Sequence, residues 1–512
     1  MSLTLSNMSK LLTLFVILTM ISLGVCAQER GMLWQETIGG HGEDEITAMD
    51  TDANGNYYVT GTIQSENSVS GYDLFVSKMS SDGNLIWTKK FVGERNDRGI
   101  DLIVSSDNKL LVLAASDSKN GYFSGNQGYD DFYLFKLDLN GQLEWVRSYG
   151  GAFIDLPTSL VERQNGHFLL YGDSRSETGD LTANFGQFDL WLIDVDADGI
   201  MVWQKNLGGD NDDRASTLIE LPSEEILLLG HSTSYDRDIL QNYGDFDISL
   251  LKLSRSGNLI WSENFGGFAA DYSSDLLLTT DGNILIAGNT FSNDIDIVEN
   301  AGFSDAWVFE VSMDGSLNWS QTIGSSGSDF SGALYKNSLG QIIIAGTTNS
   351  LSIGNSVSKG NTDIWMAYID NGTISDVTLF GDAGFDRIET VYLTDNDQLV
   401  FAGATNSVDG IVHGIEGKSD GWIAKFAPSK LSADGNTINI HPNPSSGIFY
   451  LNNLEKDDIL HISDSRGQQV FQNLQFNGSI HILDLQNFPT GMYYLTIESS
   501  TGTYVHKVVK QN

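Results

Sequence analysis

Aspartate is the chemically active side chain that recurs most regularly in this chain of 512 residues. A carboxylate can move a proton, bind calcium through its oxygens or accept hydrogen bonds from backbone amides. In each of seven copies of a repeated segment, one aspartate stands ten residues after the same reference position. These repeat aspartates are Asp44, Asp97, Asp155, Asp213, Asp271, Asp329 and Asp386. Because a residue that occurs seven times is not the unique member of one active site, we expect them to cap turns or bind backbone amides between copies.

A second set of acids lies in long polar segments of the repeat and could bind a cation. Asp236 and Asp238 form one close pair, and Asp294 and Asp296 form another. Calcium prefers carboxylate oxygens, so these four residues are the calcium candidates of the sequence. Neither segment has the ligand spacing of an EF-hand or an RTX repeat, and the alternative is that these acids satisfy the loop backbone. No other cofactor is predicted.

Signatures of an enzyme are weak in this sequence. The repeat region contains the histidines His41, His167, His231 and His413, and no two of them have metal-ligand spacing. No serine lies in the strand–elbow–helix context of a nucleophile. The single cysteine, Cys26, excludes zinc–cysteine sites, iron–sulfur clusters and catalytic thiols from the chain that follows it. No catalytic residue is predicted, and the protein is not expected to be an enzyme.

The reference position of the repeat is a tryptophan, with Asp376 in its place in the seventh copy. The tryptophans are Trp34, Trp87, Trp145, Trp203, Trp261 and Trp319. Each copy reads as four short strands, which in the third copy start at Thr158, His167, Asp189 and Ile200. Asn165-Gly166 and Asp198-Gly199 favour tight hairpins between them. Four antiparallel strands that repeat every 53 to 58 residues predict a propeller blade.

The two ends of the repeat region predict a ring that closes on itself. The stretch GMLWQETIGG is a strand of the tryptophan type that precedes the first copy, whereas the seventh copy stops after SDGWIAKFAPS, at its third strand. The early strand would supply the missing fourth strand of the last blade and remove an exposed sheet edge. The sequence therefore predicts seven blades.

The repeat resembles two groups of known propellers. LDLNGQLEW is similar to the tryptophan docking repeat of quinoprotein dehydrogenases, although its spacing is one residue shorter. The eight blades and vicinal cysteines of those enzymes are missing, so the resemblance implies architecture and no cofactor. TDANGNYYVTGT and YDLFVSKMSSDGNLIW resemble bacterial secreted β-propeller repeat proteins more closely. That resemblance covers Gln28 to about Pro428 and implies a fold without one particular activity.

The connection between the second and third strands is long, with 16 residues in copies two to seven and 11 in the first. It shares one side of the ring, here named the loop face, with the connectors between copies. Loops of this length are commonly functional. We expect the loop face to contact glycans or surface proteins. The alternative is a polysaccharide hydrolase or lyase that uses acids of the central channel, and unlike carboxylates at the channel mouth would favour it.

The first residues carry a predicted secretory signal peptide. One positive charge precedes an apolar run that ends at Val25, and cleavage after Ala27 would leave Gln28 as the first mature residue. The alternative is a lipoprotein anchored through Cys26, for which Val25 is a poor preceding residue. No other apolar stretch is long enough to span a bilayer, so no transmembrane segment is expected in the mature chain.

The net charge of −39 arises from 67 acidic and 28 basic residues. Such a surface repels phosphates, so neither nucleic acid nor an anionic membrane is expected as a partner. From Thr437 to Asn512 the chain has only six acidic residues against four basic ones. Nearly all the excess acid therefore belongs to the repeats.

The tail after about Thr437 consists of short alternating strands with glycine turns, which predict a small β-sandwich. It resembles the C-terminal sorting domain of the type IX secretion system. The matching positions are Pro442, Asn443, Pro444, Gly447, Gly467, Pro489, Gly491, Tyr493 and Lys507. The resemblance implies that the type IX secretion machinery is a partner and that the protein is exported across the outer membrane, to be secreted or kept at the cell surface. It also implies a source in the Bacteroidota.

These observations predict an all-β protein, a seven-bladed β-propeller followed by a small C-terminal β-sandwich. The signal peptide is expected at residues 1–27, the propeller at 28–430, a linker at 431–436 and the type IX sorting domain at 437–512. The predicted function is a binding or adhesion propeller that is delivered to the cell surface or beyond it.

Overall fold

A computed structural model of the chain describes residues 31–64, 71–336, 342–354, 356–370, 372–374, 377–393, 398–408, 412, 415, 417–427, 439–441, 448–452, 459–464, 469–475, 480–485, 488–499 and 502–510. The chain divides into two compact units, Met1–Pro428 and Ser429–Asn512. The predicted cleavage after Ala27 and the predicted linker at 431–436 lie outside the described residues. Within the described ranges, nothing helical has the length and apolar content that a bilayer crossing requires.

The first unit is a ring of seven antiparallel blades, six with four strands and the sixth with five, because its outer strand is divided into two short strands. The chain begins with β1 (Met32–Ile38) and then forms blade 1 from β2 (Glu45–Thr51), β3 (Tyr57–Gln64), β4 (Tyr72–Met79) and β5 (Leu85–Phe91). Blade 2 contains β6 (Asp97–Val104), β7 (Lys109–Ser116), a 3-10 turn (Gly121–Phe123), β8 (Asp131–Asp138) and β9 (Leu143–Tyr149). Blade 3 contains β10 (Asp155–Glu162), β11 (Phe168–Ser174), β12 (Asp189–Val195) and β13 (Met201–Leu207).

The remaining blades follow the same order. Blade 4 contains β14 (Asp213–Glu220), β15 (Ile226–Ser232), β16 (Asp247–Leu253) and β17 (Leu259–Phe265). Blade 5 contains β18 (Asp271–Leu278), β19 (Ile284–Thr290), β20 (Asp305–Val311) and β21 (Leu317–Ile323). Blade 6 contains β22 (Asp329–Lys336), β23 (Ile342–Thr348), the small hairpin β24 (Ser352–Ile353) and β25 (Ser356–Val357), β26 (Asp363–Asp370), β27 (Thr373–Ile374) and β28 (Thr378–Phe380). Blade 7 contains β29 (Asp386–Leu393), β30 (Leu399–Thr405) and β31 (Asp420–Phe426).

Strand β1 completes blade 7, as the sequence predicts. It pairs antiparallel with β31, with Gln35 opposite Ala424. The indole Nε1–H of Trp422 also donates to Oε1 of Gln35 across this pair, at 2.9 Å. The outer edge of the seventh blade is therefore made by the beginning of the propeller, which closes the ring and removes an unpaired edge.

The core of the propeller lies between neighbouring blades. The two middle strands of blade 3, β11 and β12, are buried along their whole length, whereas the outer strand β13 is mostly half-buried. One apolar cluster joins Leu111 and Phe132 of blade 2 to Leu160, Leu170 and Trp191 of blade 3. Continuous apolar middle strands are thus covered on both faces by the adjacent blades, which explains why they lack a polar alternation.

The inner strand of blade 3 begins earlier than the sequence indicates. It starts at Asp155 instead of Thr158, since the ladder with β11 continues from Ser159 back to Asp155 across a β-bulge at Pro157. The bulge interrupts the alternation that marks the strand in the sequence. The repeat aspartate is consequently the first residue of the strand and not part of the connector.

The recurring glycine and tryptophan contact each other between blades. A Cβ added to Gly199 of blade 3 would lie 2.8 Å from the ring of Trp145 in blade 2, and one added to Gly257 would lie 2.7 Å from the ring of Trp203. Both glycines have positive φ, 73° and 76°, in the turn between the third and fourth strands. This turn position therefore requires glycine for two reasons. Its backbone has positive φ, and the tryptophan of the preceding blade packs where a side chain would be.

The second unit consists of two small antiparallel sheets. Its strands are β32 (Asn439–His441), β33 (Ile448–Asn452), β34 (Ile459–Asp464), β35 (Gln469–Gln475), β36 (Ile480–Asp484), β37 (Gly491–Ser499) and β38 (Gly502–Lys510). One sheet has the order β32-β33-β36 and the other β35-β34-β37-β38. Leu483 of the first sheet and Ile462, Leu495 and Val508 of the second are buried. This arrangement is consistent with the predicted β-sandwich.

We expect that deleting residues 31–38, which include β1, prevents the propeller from folding cooperatively. The deletion exposes the backbone edge of β31 and removes the outer face of blade 7, so the product should aggregate or lose its thermal transition. Calorimetry and sedimentation of this variant and of a control that lacks only residues 1–30 measure the effect. A deletion variant that melts like the control would show that the ring does not depend on this pair.

Candidate functional site: the loop face and the channel mouth

The repeat aspartates stand where each connector enters its blade at the loop face. In blade 3, the Gly151 backbone N–H donates to Oδ2 of Asp155 at 2.7 Å, and the Ser176 hydroxyl donates to the same carboxylate at 2.9 Å. The Ser174 hydroxyl donates to its other oxygen. Asp155 thus joins the connector, the inner strand and the following loop within one buried hydrogen-bond group.

The same arrangement recurs around the ring. Each of the seven carboxylates accepts the N–H of the residue four positions earlier, which is Gly40, Gly93, Gly151, Gly209, Gly267, Ser325 or Asp382. Burial raises the pKa of Asp97, Asp213 and Asp271 to about 6, although the hydroxyl and backbone donors oppose the shift. These residues hold the backbone at every blade junction, so nothing in their geometry singles out one of them for chemistry.

The four calcium candidates bind backbone amides of the neighbouring connectors. Asp236 accepts the Asp210 N–H at 2.9 Å, and Asp238 accepts the Gly208 N–H at 3.3 Å. In the next blade, Asp294 and Asp296 accept the N–H groups of Phe268 and Gly266 at 2.9 and 3.1 Å. Among the described residues, no group of three or more histidine, cysteine, aspartate or glutamate side chains could hold a metal ion. Calcium binding stays a prediction, while these contacts give the four acids a role in the loop backbone.

The mouth of the central channel breaks the sevenfold equivalence. The residue directly after each repeat aspartate, here named a mouth residue, differs in chemistry from blade to blade. In blade order the mouth residues are Glu45, Arg98, Leu156, Arg214, Tyr272, Phe330 and Arg387. Four of them, from blades 1, 2, 6 and 7, line a cavity of about 1060 Å³. The three arginines are notable because bases are scarce in this acidic chain.

Ion pairs hold the charged side chains of this cavity. The Arg387 guanidinium pairs with Glu45 and, at 2.6 Å, with Glu389. Lys418 pairs with Glu43 at 3.2 Å, and the Tyr72 hydroxyl donates to Glu43 at 3.3 Å. The cavity therefore offers both donors and acceptors along one side.

Glu389 is one of the carboxylates that line this cavity. Burial raises its pKa, and the adjacent Arg387 acts in the opposite direction. In the neighbouring blade the equivalent position is Gly332, where an added Cβ would lie 3.5 Å from Ile388. The missing side chain of Gly332 leaves room beside Glu389, and the exposed rings of Phe330 and Phe385 lie on the same wall.

Large apolar side chains are also exposed elsewhere on the loop face. They are Tyr122, Tyr129, Phe153, Tyr235, Leu240, Phe268, Val298, Phe303, Leu351, Phe385 and Val408. A chain of rings runs from the mouth residue Tyr272 through Phe291 to Phe303, with centroid distances of 6.2 and 5.4 Å. Groups of exposed aromatic side chains are typical of interaction surfaces.

The histidines do not form a site. His231 packs at 5.1 Å from the Tyr272 ring, and burial lowers its pKa to about 4, so it is neutral at pH 7. His167 lies in the turn before β11 and bonds to Asp194 at 2.7 Å through Nδ1. His413 lies outside the described residues.

Sequence reasoning missed the mouth residues. They follow the repeat aspartates directly, and the signal that could have found them is variation at a fixed position beside an invariant one. In the sorting tail, Pro442, Asn443, Pro444, Gly447 and Gly467 lie outside the described residues. The Tyr493 hydroxyl donates to the carbonyl of Pro489 at 2.5 Å, Gly491 begins β37, and Lys507 stands opposite Tyr494 in β38.

The fold and the tail define a β-propeller that carries a type IX secretion sorting domain at its C-terminal end. Residues 439–511 match the family described as the secretion system C-terminal sorting domain. This domain directs export across the outer membrane, so the protein is delivered to the cell surface or secreted, and the secretion machinery is its partner. No curated protein matches the chain.

Solved propellers are similar to the chain at low identity. PorZ, a surface component of the type IX secretion system of Porphyromonas gingivalis, is 11% identical with a TM-score of 0.42; the match covers 93% of this chain and 60% of the PorZ chain. Puromycin hydrolase is 10% identical with a TM-score of 0.46, over 80% of this chain and 59% of its own. The β-propeller domain of the Trilobed protease from Pyrococcus furiosus is 10% identical with a TM-score of 0.38, over 70% and 91%.

We expect Asp213→Ala to destabilise the propeller. The substitution leaves the Gly209 N–H and the hydroxyls of Ser232 and Ser234 without their buried acceptor, which costs about 2 kcal/mol of unfolding free energy. Urea denaturation measures the loss. The control is Asp245→Ala, exposed on the same face, which should stay within about 0.5 kcal/mol of the wild type. Equal effects of both substitutions would contradict the junction role of Asp213.

Proposed function

We propose that the protein is a binding or adhesion propeller whose ligand occupies the channel mouth on the loop face. The observation that carries this proposal is the loss of sevenfold equivalence at one ring of positions, while the aspartates beside them stay constant. Closure of the ring would not by itself require residues as different as an arginine, a glutamate and a phenylalanine at equivalent positions of the blades. Chemically different side chains at equivalent positions of a cavity wall are suited to the recognition of an asymmetric ligand.

The chemistry of the cavity favours a glycan as the ligand. Paired acids and bases such as Arg387 with Glu45 offer donors and acceptors that are already oriented for hydroxyl groups. The exposed faces of Phe330 and Phe385 can cover the apolar face of a sugar ring. A surface protein that presents polar and aromatic groups is the other partner class that this surface would fit.

Mouth variants test this proposal on the mature full-length protein with an array of neutral and acidic oligosaccharides. We expect binding to at least one glycan, and each of Arg387→Ala and Phe330→Ala should weaken its Kd by about tenfold. Arg255→Ala is the matched control, because Arg255 is exposed in the turn between β16 and β17, at the opposite end of the blade. Glycan binding that both mouth variants retain, or no binding to any glycan on the array, would count against the proposed ligand and site.

A second candidate function is a hydrolase or lyase that acts on polysaccharide. It is favoured by the unlike carboxylates Glu45 and Glu389 at the channel mouth, on either side of Arg387. A carboxyl with a raised pKa, such as Glu389, is suited to act as a general acid.

Glu389→Gln separates the enzyme from the binding protein. If Glu389 is a general acid, the substitution should lower polysaccharide cleavage by about 100-fold or more and leave ligand binding intact. Reducing-end release and the absorbance of unsaturated products measure cleavage. Glu144→Gln, on the outer strand β9, is the control. Absence of cleavage of any polysaccharide by the wild type would remove this candidate.

A further inference from the structure

A second set of aspartates opens the third strand of each blade and is buried as deeply as the repeat aspartates. Five of them share one pattern, namely Asp131, Asp189, Asp247, Asp305 and Asp363. In each, Oδ2 accepts the backbone N–H of the residue four positions earlier, for example Gln127 for Asp131 at 2.6 Å. In each, Oδ1 is buried and has no hydrogen-bond partner. One orphaned oxygen at the same place in five blades indicates a missing partner common to all of them.

The orphaned oxygens of Asp189, Asp247 and Asp363 lie near a carboxylate oxygen of the next blade, beside the connector glycines Gly208, Gly266 and Gly381. Around Gly208, Oδ1 of Asp189 and Oδ2 of Asp213 lie 2.8 and 2.5 Å from the place where a Cβ of that glycine would be. Around Gly381, the corresponding distances are 2.3 Å for Oδ1 of Asp363 and 3.0 Å for Oδ2 of Asp386. Two acids thus meet in a gap that exists because the connector has glycine there.

Two negative charges in one buried gap repel each other strongly, so something must neutralise one of them. The repeat aspartate is the ionised member, because its oxygens accept from a backbone N–H and, at most junctions, from two hydroxyl groups. A cation such as calcium would need about six or more oxygen ligands. The gap beside Gly208 brings together two carboxylate oxygens, and Oδ2 of Asp213 already accepts hydrogen bonds from Gly209 and Ser234. A proton, by contrast, can be held on one carboxylate oxygen and shared with a second carboxylate oxygen beside it.

We propose that three of these aspartates, Asp131, Asp189 and Asp247, carry a proton on Oδ1 at neutral pH and donate it to the repeat aspartate of the following blade. Each such junction then holds a neutral acid against a carboxylate, joined by a charge-assisted hydrogen bond. The site is a proton-binding site that recurs around the ring, and it is separate from the channel mouth and from its ligand.

The electrostatic surroundings agree with this assignment. Burial raises the pKa of Asp131, Asp189 and Asp247 to about 7. The neighbouring carboxylates contribute to these raised pKa values; they are Asp155 and Asp180 for Asp131, Asp213 for Asp189, and Asp271, Asp296 and Asp245 for Asp247. Lys119 lowers the pKa of Asp131 and Arg237 lowers that of Asp189. For Asp305, burial raises the pKa and the charges of Asp329 and Glu299 add to the shift.

The sign of the pH dependence follows from these raised values. Such a carboxyl stabilises the fold fully below its unfolded pKa, near 3.8, and the contribution is lost as the pH rises through the folded value near 7. The protein should therefore melt at a higher temperature at pH 5 than at pH 8.

Asparagine provides the test, since its NH₂ group takes the place of the protonated oxygen and donates to the same carboxylate. In the mature full-length protein, Asp131→Asn should raise the Tm at pH 8 and leave it unchanged at pH 5. Asp155→Asn is the matched control and should lower the Tm at both values, because an NH₂ group would face the donors of Gly151, Ser174 and Ser176.

Infrared spectroscopy gives a readout that does not depend on the variants being stable. The wild type at pH 7 should show the carbonyl band of protonated carboxyl groups, and replacing Asp131, Asp189 and Asp247 by asparagine should remove most of it. Absence of the band from the wild type would overturn the proposal. So would a loss of Tm in Asp131→Asn at pH 8 as large as that of Asp155→Asn. A saturable rise of the wild-type Tm with calcium chloride that Asp131→Asn lacks would assign the gap to a cation instead.

Discussion

The propeller depends on how the backbone is satisfied where one blade passes to the next. At these junctions the chain leaves an outer strand and enters an inner one under the long loops, so the N–H groups of the connector have no partner in a neighbouring strand. The repeat aspartates provide the acceptors, and Ser174 and Ser176 in blade 3 show how hydroxyls of the neighbouring loop join them. Because a buried N–H without an acceptor is costly, the aspartate persists in all seven copies while the loops around it vary.

Because the repeat aspartate binds the backbone at each junction, the mouth residue that follows it is free to differ between blades. That residue can be Arg98 in one blade and Phe330 in another without loss of the ring. The seven blades thus share one backbone fold, whereas the side chains that they present at the channel mouth differ. The cavity lies between blades 1, 2, 5, 6 and 7, where the mouth residues and the small Gly332 differ most from their equivalents.

The fold could be predicted because its causes are local and repeated. Positive φ at Gly199 and the packing of Trp145 on it leave a fixed spacing in the sequence, and so do the buried middle strands. The site was less accessible. The cavity depends on which side chains the seven inner strands bring together from distant parts of the chain, and no spacing encodes that meeting. The start of the inner strand was predicted wrongly because the bulge at Pro157 interrupts its alternation, and the partners of Asp238 depend on a connector thirty residues earlier.

The pairing of β1 with β31 has a consequence for the time course of folding. The two strands come from opposite ends of the propeller, so their meeting costs the entropy of closing almost the entire domain into a loop. Blades made of neighbouring hairpins can form early, whereas the seventh has to wait until the chain is complete. A topology with one contact of such long range folds slowly at its last step and passes through open rings with a bare edge at β31. The interval before closure is therefore the period in which the propeller is most exposed to aggregation, because the edge of β31 is still unpaired.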